Sequence, residues 1–223
     1  MKVTLVRITE NPVEAIELAA SNCYDSNPAD GKIMDNCYKS GHHSVLEFTD
    51  LHFHVEGVSR SLSHQLVRSR LASFAQRSQR YVNENGFGFI LPKSILHNNN
   101  ACTIYLDTMQ GIRSAYDKLI GLGIPAEDAR FVLPNACETV IDVKMNFREF
   151  IHFCNERLCT CAQWEIRDLA TQMRLLVKTE EYRLGKYLVP KCEKNAPYNF
   201  RTESKKRCCG RNKHISEVFT GDL

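Results

Sequence analysis

No stretch of this chain approaches the ~20 consecutive apolar residues that a membrane-spanning helix needs. The opening segment, Met1-Lys2-Val3-Thr4-Leu5-Val6-Arg7-Ile8, has no apolar run long enough for a secretory signal and reads instead as a strand. Charge of one sign is also scarce: the formal net charge is +3 over 223 residues, too weak to announce a nucleic-acid binder. From Lys191 on, eight Lys or Arg stand against four Asp or Glu, which leaves residues 1–190 at about −1, so the basic character belongs mostly to the tail. No Cys-x-x-Cys occurs among the ten cysteines. Neither Cys159-x-Cys161 nor Cys208-Cys209 has the spacing of a zinc site, and no metal is expected. A disulfide scaffold calls for a small, secreted, loop-rich fold. Cys23, Cys37, Cys137 and Cys154 fall instead in segments that read as regular and half-buried, which favours reduced, intracellular thiols. There is no internal repeat, and the absence of a Gly-x-Ser-x-Gly elbow argues against a serine hydrolase.

What is present is the balance of a soluble globular protein, 43% hydrophobic and 25% charged, with enough apolar mass for a core. The chain divides into a domain over 1–190 and a basic polar tail over 191–223. Asn11-Pro12 starts a helix through Ala20, and a second helix over 30–40 stops at Gly41. Thr49, Leu51, Phe53 and Val55 alternate with Asp50, His52, His54 and Glu56, the pattern of a half-buried strand. Ser59 is placed to cap a helix through about Arg70, with Leu62 and Leu66 on its buried side. Residues 83–88 read as a loop, 100–122 as a long helix closed by Gly123 and Pro125, and 139–143 as a strand. Two helices over 147–158 and 163–178 precede Pro190. Strands separated by helices, without regular βαβ alternation, predict an α+β fold with an antiparallel or mixed twisted sheet flanked by helices.

Three clusters carry chemistry. Arg68, Arg70, Arg77 and Arg80 fall within thirteen residues, interleaved with Ser and Gln. Arginine offers a fork of donors that suits phosphate oxygens, and hydroxyls and amides add neutral donors. On a helix Arg68 and Arg70 would point about 200° apart and reach different partners; a solvated basic face explains the same spacing. In the second cluster Phe147, Phe150, Ile151, Cys154 and Leu158 form one apolar helical stripe, and Arg148, His152 and Asn155 a separate polar one. A surface histidine is the plainer account of His152. The third, Gly41-His42-His43-Ser44-Val45-Leu46-Glu47, joins a helix end to a strand, where an ordinary polar turn would also serve.

Taken together these clusters resemble the flavin-dependent thymidylate synthases. That family has Arg-His-Arg, seven residues, then Ser; here Arg68-Ser69-Arg70 is followed after seven residues by Ser78, with Gln79-Arg80-Tyr81 also fitting. Gly41, His42, Ser44 and Glu47 match its Gly-His-x-Ser/Thr-x-x-Glu, and Ala129-Arg130-Phe131-Val132-Leu133-Pro134 its Ala-Arg-x-x-Leu-Pro. Asn146-x-Arg148, Arg157 and Ala162-Gln163-Trp164-Glu165 keep its order over roughly 1–190. Two positions depart: Ser69 stands where the motif has His, and Cys161 where a His commonly precedes Ala-Gln-Trp-Glu.

The resemblance implies reductive methylation of dUMP to dTMP, with FAD as the flavin, 5,10-methylenetetrahydrofolate as carbon donor and NADPH as reductant. It implies a cytoplasmic homotetramer with sites shared between copies, a role that opposed Arg68 and Arg70 would suit. It assigns the substrate to Gln65, Leu66, Val67, Arg68, Gln76, Arg77, Ser78, Gln79, Arg80, Arg130 and Arg157. Within that set Ser78, Arg80 and Arg130 take the phosphate, and Arg157 is the catalytic residue against the uracil. It assigns the flavin to Ser44, Arg68, Ser69, Arg70, Gln76, Asn146, Phe147, Arg148 and His152, and needs no cysteine nucleophile. One alternative is a degraded relative that binds FAD or dUMP with little turnover, which Ser69→His would reveal. A more distant one is nucleic-acid binding through 68–80 and the tail, with salt-sensitive affinity.

Overall fold

The structure, a computed structural model, describes residues 1–24, 26–204, 206 and 208–218. Strand β1 (Lys2–Ile8) leads into helices α1 (Pro12–Tyr24) and α2 (Lys32–Lys39), a 3-10 turn (His43–Phe48) and strand β2 (Asp50–Ser59). Helix α3 (Arg60–Leu66), strand β3 (Ala72–Gln76) and helices α4 (Lys93–Leu96), α5 (Asn99–Gly121) and α6 (Ala126–Ala129) follow. After a 3-10 turn (Arg130–Val132) come strand β4 (Glu138–Asn146) and helices α7 (Phe147–Arg157) and α8 (Trp164–Glu180). Two further 3-10 turns (Tyr182–Tyr187, Lys191–Glu193) and the short α9 (Ile215–Val218) complete the described chain. The four strands form one antiparallel sheet in the order β1-β2-β4-β3, so the expected α+β class holds.

Two compact units emerge. The first comprises Met1–Lys2, Val55–Arg68 and Phe74–Asp142; the second comprises Val3–His54, Ser69–Ser73 and the described residues from Val143 on. In the first, Leu62, Leu66, Met109, Tyr116, Cys137 and Ile141 are buried, and α5 packs with α4 and α6. Gly57 adopts φ 67°, and a Cβ there would stand 3.2 Å from the Met1 nitrogen, so the close approach of the N-terminus needs glycine. In the second, α1 packs with α2 and the His43–Phe48 turn, and α7 with that turn and with α8. Phe53 and Phe150 meet there at 5.4 Å between ring centroids, fully buried.

The sequence patterns locate most elements, with two differences. In β2 Leu51, Phe53 and Val55 are buried and His52 and His54 half-buried, as the alternation requires. Gly41, at φ 79°, closes α2, where Gly41 and His42 donate to the Tyr38 and Cys37 carbonyls. The first difference is α3. Ser59 does cap it, its Oγ accepting the Leu62 N–H at 3.0 Å, but the helix ends at Leu66 instead of running to Arg70. Residues 72–76 are recruited to the sheet as β3, a non-local pairing that overrides local helix propensity. Arg68 and Arg70 are therefore not helical, and the 200° separation falls away. The second is Asn155, expected on a polar stripe. It is buried, and its Nδ2 donates to the Ile151 and Val189 carbonyls at 2.8 and 3.2 Å, tying the chain after α8 to α7.

Candidate functional site

In the first unit, Arg77 and Arg80 each pair with a carboxylate, and Arg60 and Arg130 each donate to a backbone carbonyl. Beyond β3 the backbone turns at Ser78, whose Oγ accepts the Arg80 N–H at 3.2 Å and whose carbonyl accepts from Val82 at 3.0 Å. Such a turn lets the Ser78 hydroxyl keep its own proton to donate. Arg80 pairs with the Glu127 carboxylate at 3.3 Å, and Arg130 donates its Nε to the Glu127 carbonyl at 3.0 Å. One residue thus orients both guanidinium groups. Each has five N–H donors, so most remain for a ligand. Arg60, absent from the sequence assignment, joins them: its Nη1 lies 3.4 Å from the Arg77 carbonyl. Burial pulls Arg60 below the ordinary arginine range, and the nearby Arg130 charge adds to that, against Cys137 and Glu84. Two cations at close quarters in part-buried surroundings make a place where a phosphate dianion is stabilising.

Other assigned residues of this unit divide between those with partners inside the fold and those at its surface. Arg77 is engaged with the buried Glu84 at 3.0 Å, and the Glu84 N–H donates to the Tyr116 hydroxyl at 3.1 Å. Gln79 is buried and donates to Cys137 Sγ at 3.6 Å, while Gln76 donates to Thr139 Oγ1 at 3.3 Å. Burial pushes the Cys137 thiol up to about 11, so it stays protonated at neutral pH. Leu66 is core, Gln65 is half-buried, and Val67 and Arg68 are exposed at the end of α3.

The second unit holds the remaining assigned residues. Asn146 caps α7, its Oδ1 accepting the Glu149 N–H at 2.9 Å. The cap directs Arg148 outward, where it pairs with Glu47 of the His43–Phe48 turn at 2.7 Å; Ser44 on that turn is exposed. His152, one turn on from Arg148, is also exposed. Phe147 is fully buried, edge-on to Tyr187 at 6.1 Å, and its N–H donates to the Thr49 carbonyl at 2.7 Å. Arg157 ends α7, half-buried. Ser69 is half-buried and Arg70 exposed. Exposed cations and hydroxyls of this kind suit the diphosphate of a dinucleotide, so these residues fit a flavin dinucleotide on donor chemistry. Gly41 and His43 line a separate cleft of about 720 Å³ with Tyr38, Lys186 and Tyr187. His43 stacks on Tyr38 at 5.1 Å there, and none of the assigned flavin contacts lines the cleft.

Sequence reasoning missed Arg60 because a lone arginine after a helix cap carries no motif; the one signal was its place directly after Ser59.

The matches to known proteins cover most of the chain. The family model described as thymidylate synthase complementing protein matches residues 4–180. A flavin-dependent thymidylate synthase of Geobacter sulfurreducens is 46% identical over 191 residues, covering 80% of this chain and 82% of the relative. Enzymes of the same name from Clostridium tetani and Nitratidesulfovibrio vulgaris are 40% and 36% identical. The former alignment covers 86% of this chain and 88% of the relative, the latter 94% of each.

Proposed function

The chain belongs to the flavin-dependent thymidylate synthase family, and from that premise we propose that it converts dUMP to dTMP. 5,10-Methylenetetrahydrofolate provides the carbon and NADPH the reducing equivalents. When bound, FAD supplies the hydride chemistry. The protein's own work is positioning and electrostatics.

The observation that carries the reading is the convergence of Arg80 and Arg130 on Glu127, with Ser78 one turn away and Arg60 beside Arg130. A nucleotide monophosphate finds there charged donors held in place before it arrives. Ser78 donates a hydroxyl hydrogen bond to the phosphate, and Arg80 and Arg130 hold it by charge-assisted hydrogen bonds. Arg157 lies against the uracil, where it favours the N3-deprotonated ring and raises electron density at C5. A guanidinium stabilises that negative charge without itself losing a proton. Ser44, Ser69, Arg70, Arg148 and His152 bind the flavin. Ser69 donates one hydrogen bond where the family motif has an imidazole and offers no stacking surface. Four copies assemble with shared sites. Leu122 and Phe131, among the most exposed large apolar side chains, are the kind of surface such assembly covers.

The test is anaerobic dTMP formation by protein supplied with FAD, dUMP, methylenetetrahydrofolate and NADPH. Flavin-dependent dTMP is expected, and Arg157→Ala should lower turnover by about 10²-fold, the loss typical of one removed charge stabiliser. The flavin spectrum should survive that substitution. Wild-type protein that binds FAD and dUMP yet forms no dTMP would sink the reading, and near-normal turnover of Arg157→Ala would remove the role given to that residue.

A further inference from the structure

Five of the ten cysteines lie along one seam in the second unit. After α7 the chain turns through Cys159, Thr160 and Cys161 before α8 begins at Trp164. The tail returns across this turn. Cys209 donates its backbone N–H to Thr160 Oγ1 at 3.1 Å, across 49 residues of sequence. The Cys209 sulfur accepts from Arg211 Nε at 3.2 Å, and Arg211 is itself held by Glu193 at 2.8 Å. On the other side Cys161 donates its N–H to Cys159 Sγ at 3.5 Å, and its sulfur interacts with Cys159, Glu203 and Cys208. Cys159, Cys192 and Cys208 line a common cavity of about 290 Å³ with Lys191, Arg201 and Glu203.

Exposure sorts these thiols. Cys209 and Cys161 are exposed, Cys208 is half-buried, and Cys159 and Cys192 are buried. The Arg211 guanidinium, then the Arg211 backbone N–H and the Thr160 hydroxyl, draw the Cys209 thiol down to about 6, so it is a thiolate at neutral pH. Local desolvation and the neighbouring Cys159 thiol raise Cys161 instead. Low-pKa, exposed cysteines beside a second thiol are the sites that oxidants select. Cys208 is a poor partner for Cys209, since adjacent Cα atoms stand about 3.8 Å apart, below the separations disulfides adopt. Among the described residues no group of three or more His, Cys, Asp or Glu is placed to hold a metal.

The geometry points to a reversible disulfide latch between Cys209 and Cys161, formed with a small-molecule disulfide such as oxidised glutathione, that ties the tail to the turn after α7. The Cys209 thiolate attacks one glutathione sulfur; the glutathione S–S bond breaks, and one glutathione thiolate leaves and takes a proton from solvent. Cys161 gives its proton to solvent and attacks Cys209 Sγ, forming the protein disulfide and expelling the second glutathione. Two protein thiols are oxidised and one oxidised glutathione becomes two reduced ones. In a reducing compartment such a bond is transient and serves sensing. The latch does not rest on the proposed reaction.

Full-length protein in glutathione buffers of graded oxidation, acid-quenched, alkylated and analysed by peptide mass spectrometry, tests it. An intramolecular peptide pair joined through Cys161 and Cys209 is expected, lost again with dithiothreitol. C161S should stop at the Cys209–glutathione adduct, and C209S should slow the first step about tenfold or more. C208S should latch as wild type does. Cys161 and Cys209 are both exposed, and unchanged melting of the reduced variants confirms that folding is intact. Wild type that halts at the glutathione adduct, or that joins two chains or other cysteines instead, overturns the latch.

Discussion

Glu149 lies in the first turn of α7, where the helix dipole favours a carboxylate. Its side chain is nonetheless buried, and desolvation raises its pKa against the opposing influence of His152. The folded state therefore prefers the protonated acid. The penalty is absent below the ordinary unfolded pKa, grows as pH rises through it, and is complete above the raised folded value. Glu149→Gln should accordingly raise the melting temperature at pH 7 to 8 and change it little near pH 4, read by thermal melts across that range. An equal shift at both pH values would mean that the gain is not electrostatic. At this scale the sequence identified residue types better than their duties. Ser78, Arg80 and Arg130 could be named from motif spacing, but that Glu127 orients both arginines could not, because one contact runs through a carboxylate 47 residues from Arg80 and the other through a backbone carbonyl. Gln79 and Phe147 sit in the same motifs and are buried.

At the scale of elements, α7 shows how a local signal fixes a site. The apolar stripe of Phe147, Phe150, Ile151, Cys154 and Leu158 is buried throughout, which sets the rotation of the helix and turns Arg148 and His152 outward. The Asn146 side chain secures its first turn. Asn146→Ala should cost about 1 kcal/mol, a drop of roughly 2–4 °C in melting temperature for a chain of this size; an unchanged melt would show that the cap contributes nothing. Helix α3 illustrates the reverse. Its start was legible in Ser59, yet its end was set by β3 joining the sheet, and residues 67–70 contain no glycine or proline to mark a stop.

For the molecule as a whole, no described helix is long and apolar enough to cross a membrane. The first unit leaves Phe131 at 83% exposure, Leu122 at 79% and Ile104 at 68%. If four copies bury this surface, light scattering should give four times the mass of a 25.5 kDa chain, and Phe131→Asp should shift the population toward smaller species. A monomeric wild type at micromolar concentration would rule the assembly out. The sequence by itself determined the fold class, most helices, the β2 alternation and the motifs that carry the family resemblance, because periodicity, caps and spacing are local properties of the chain. Only the tertiary structure decided where α3 stops, that Asn155 is a buried tie, that Arg60 joins Arg130, and that the tail's Cys209 lies on Thr160. Each of these depends on partners brought together from distant parts of the chain, and no local pattern encodes such pairings.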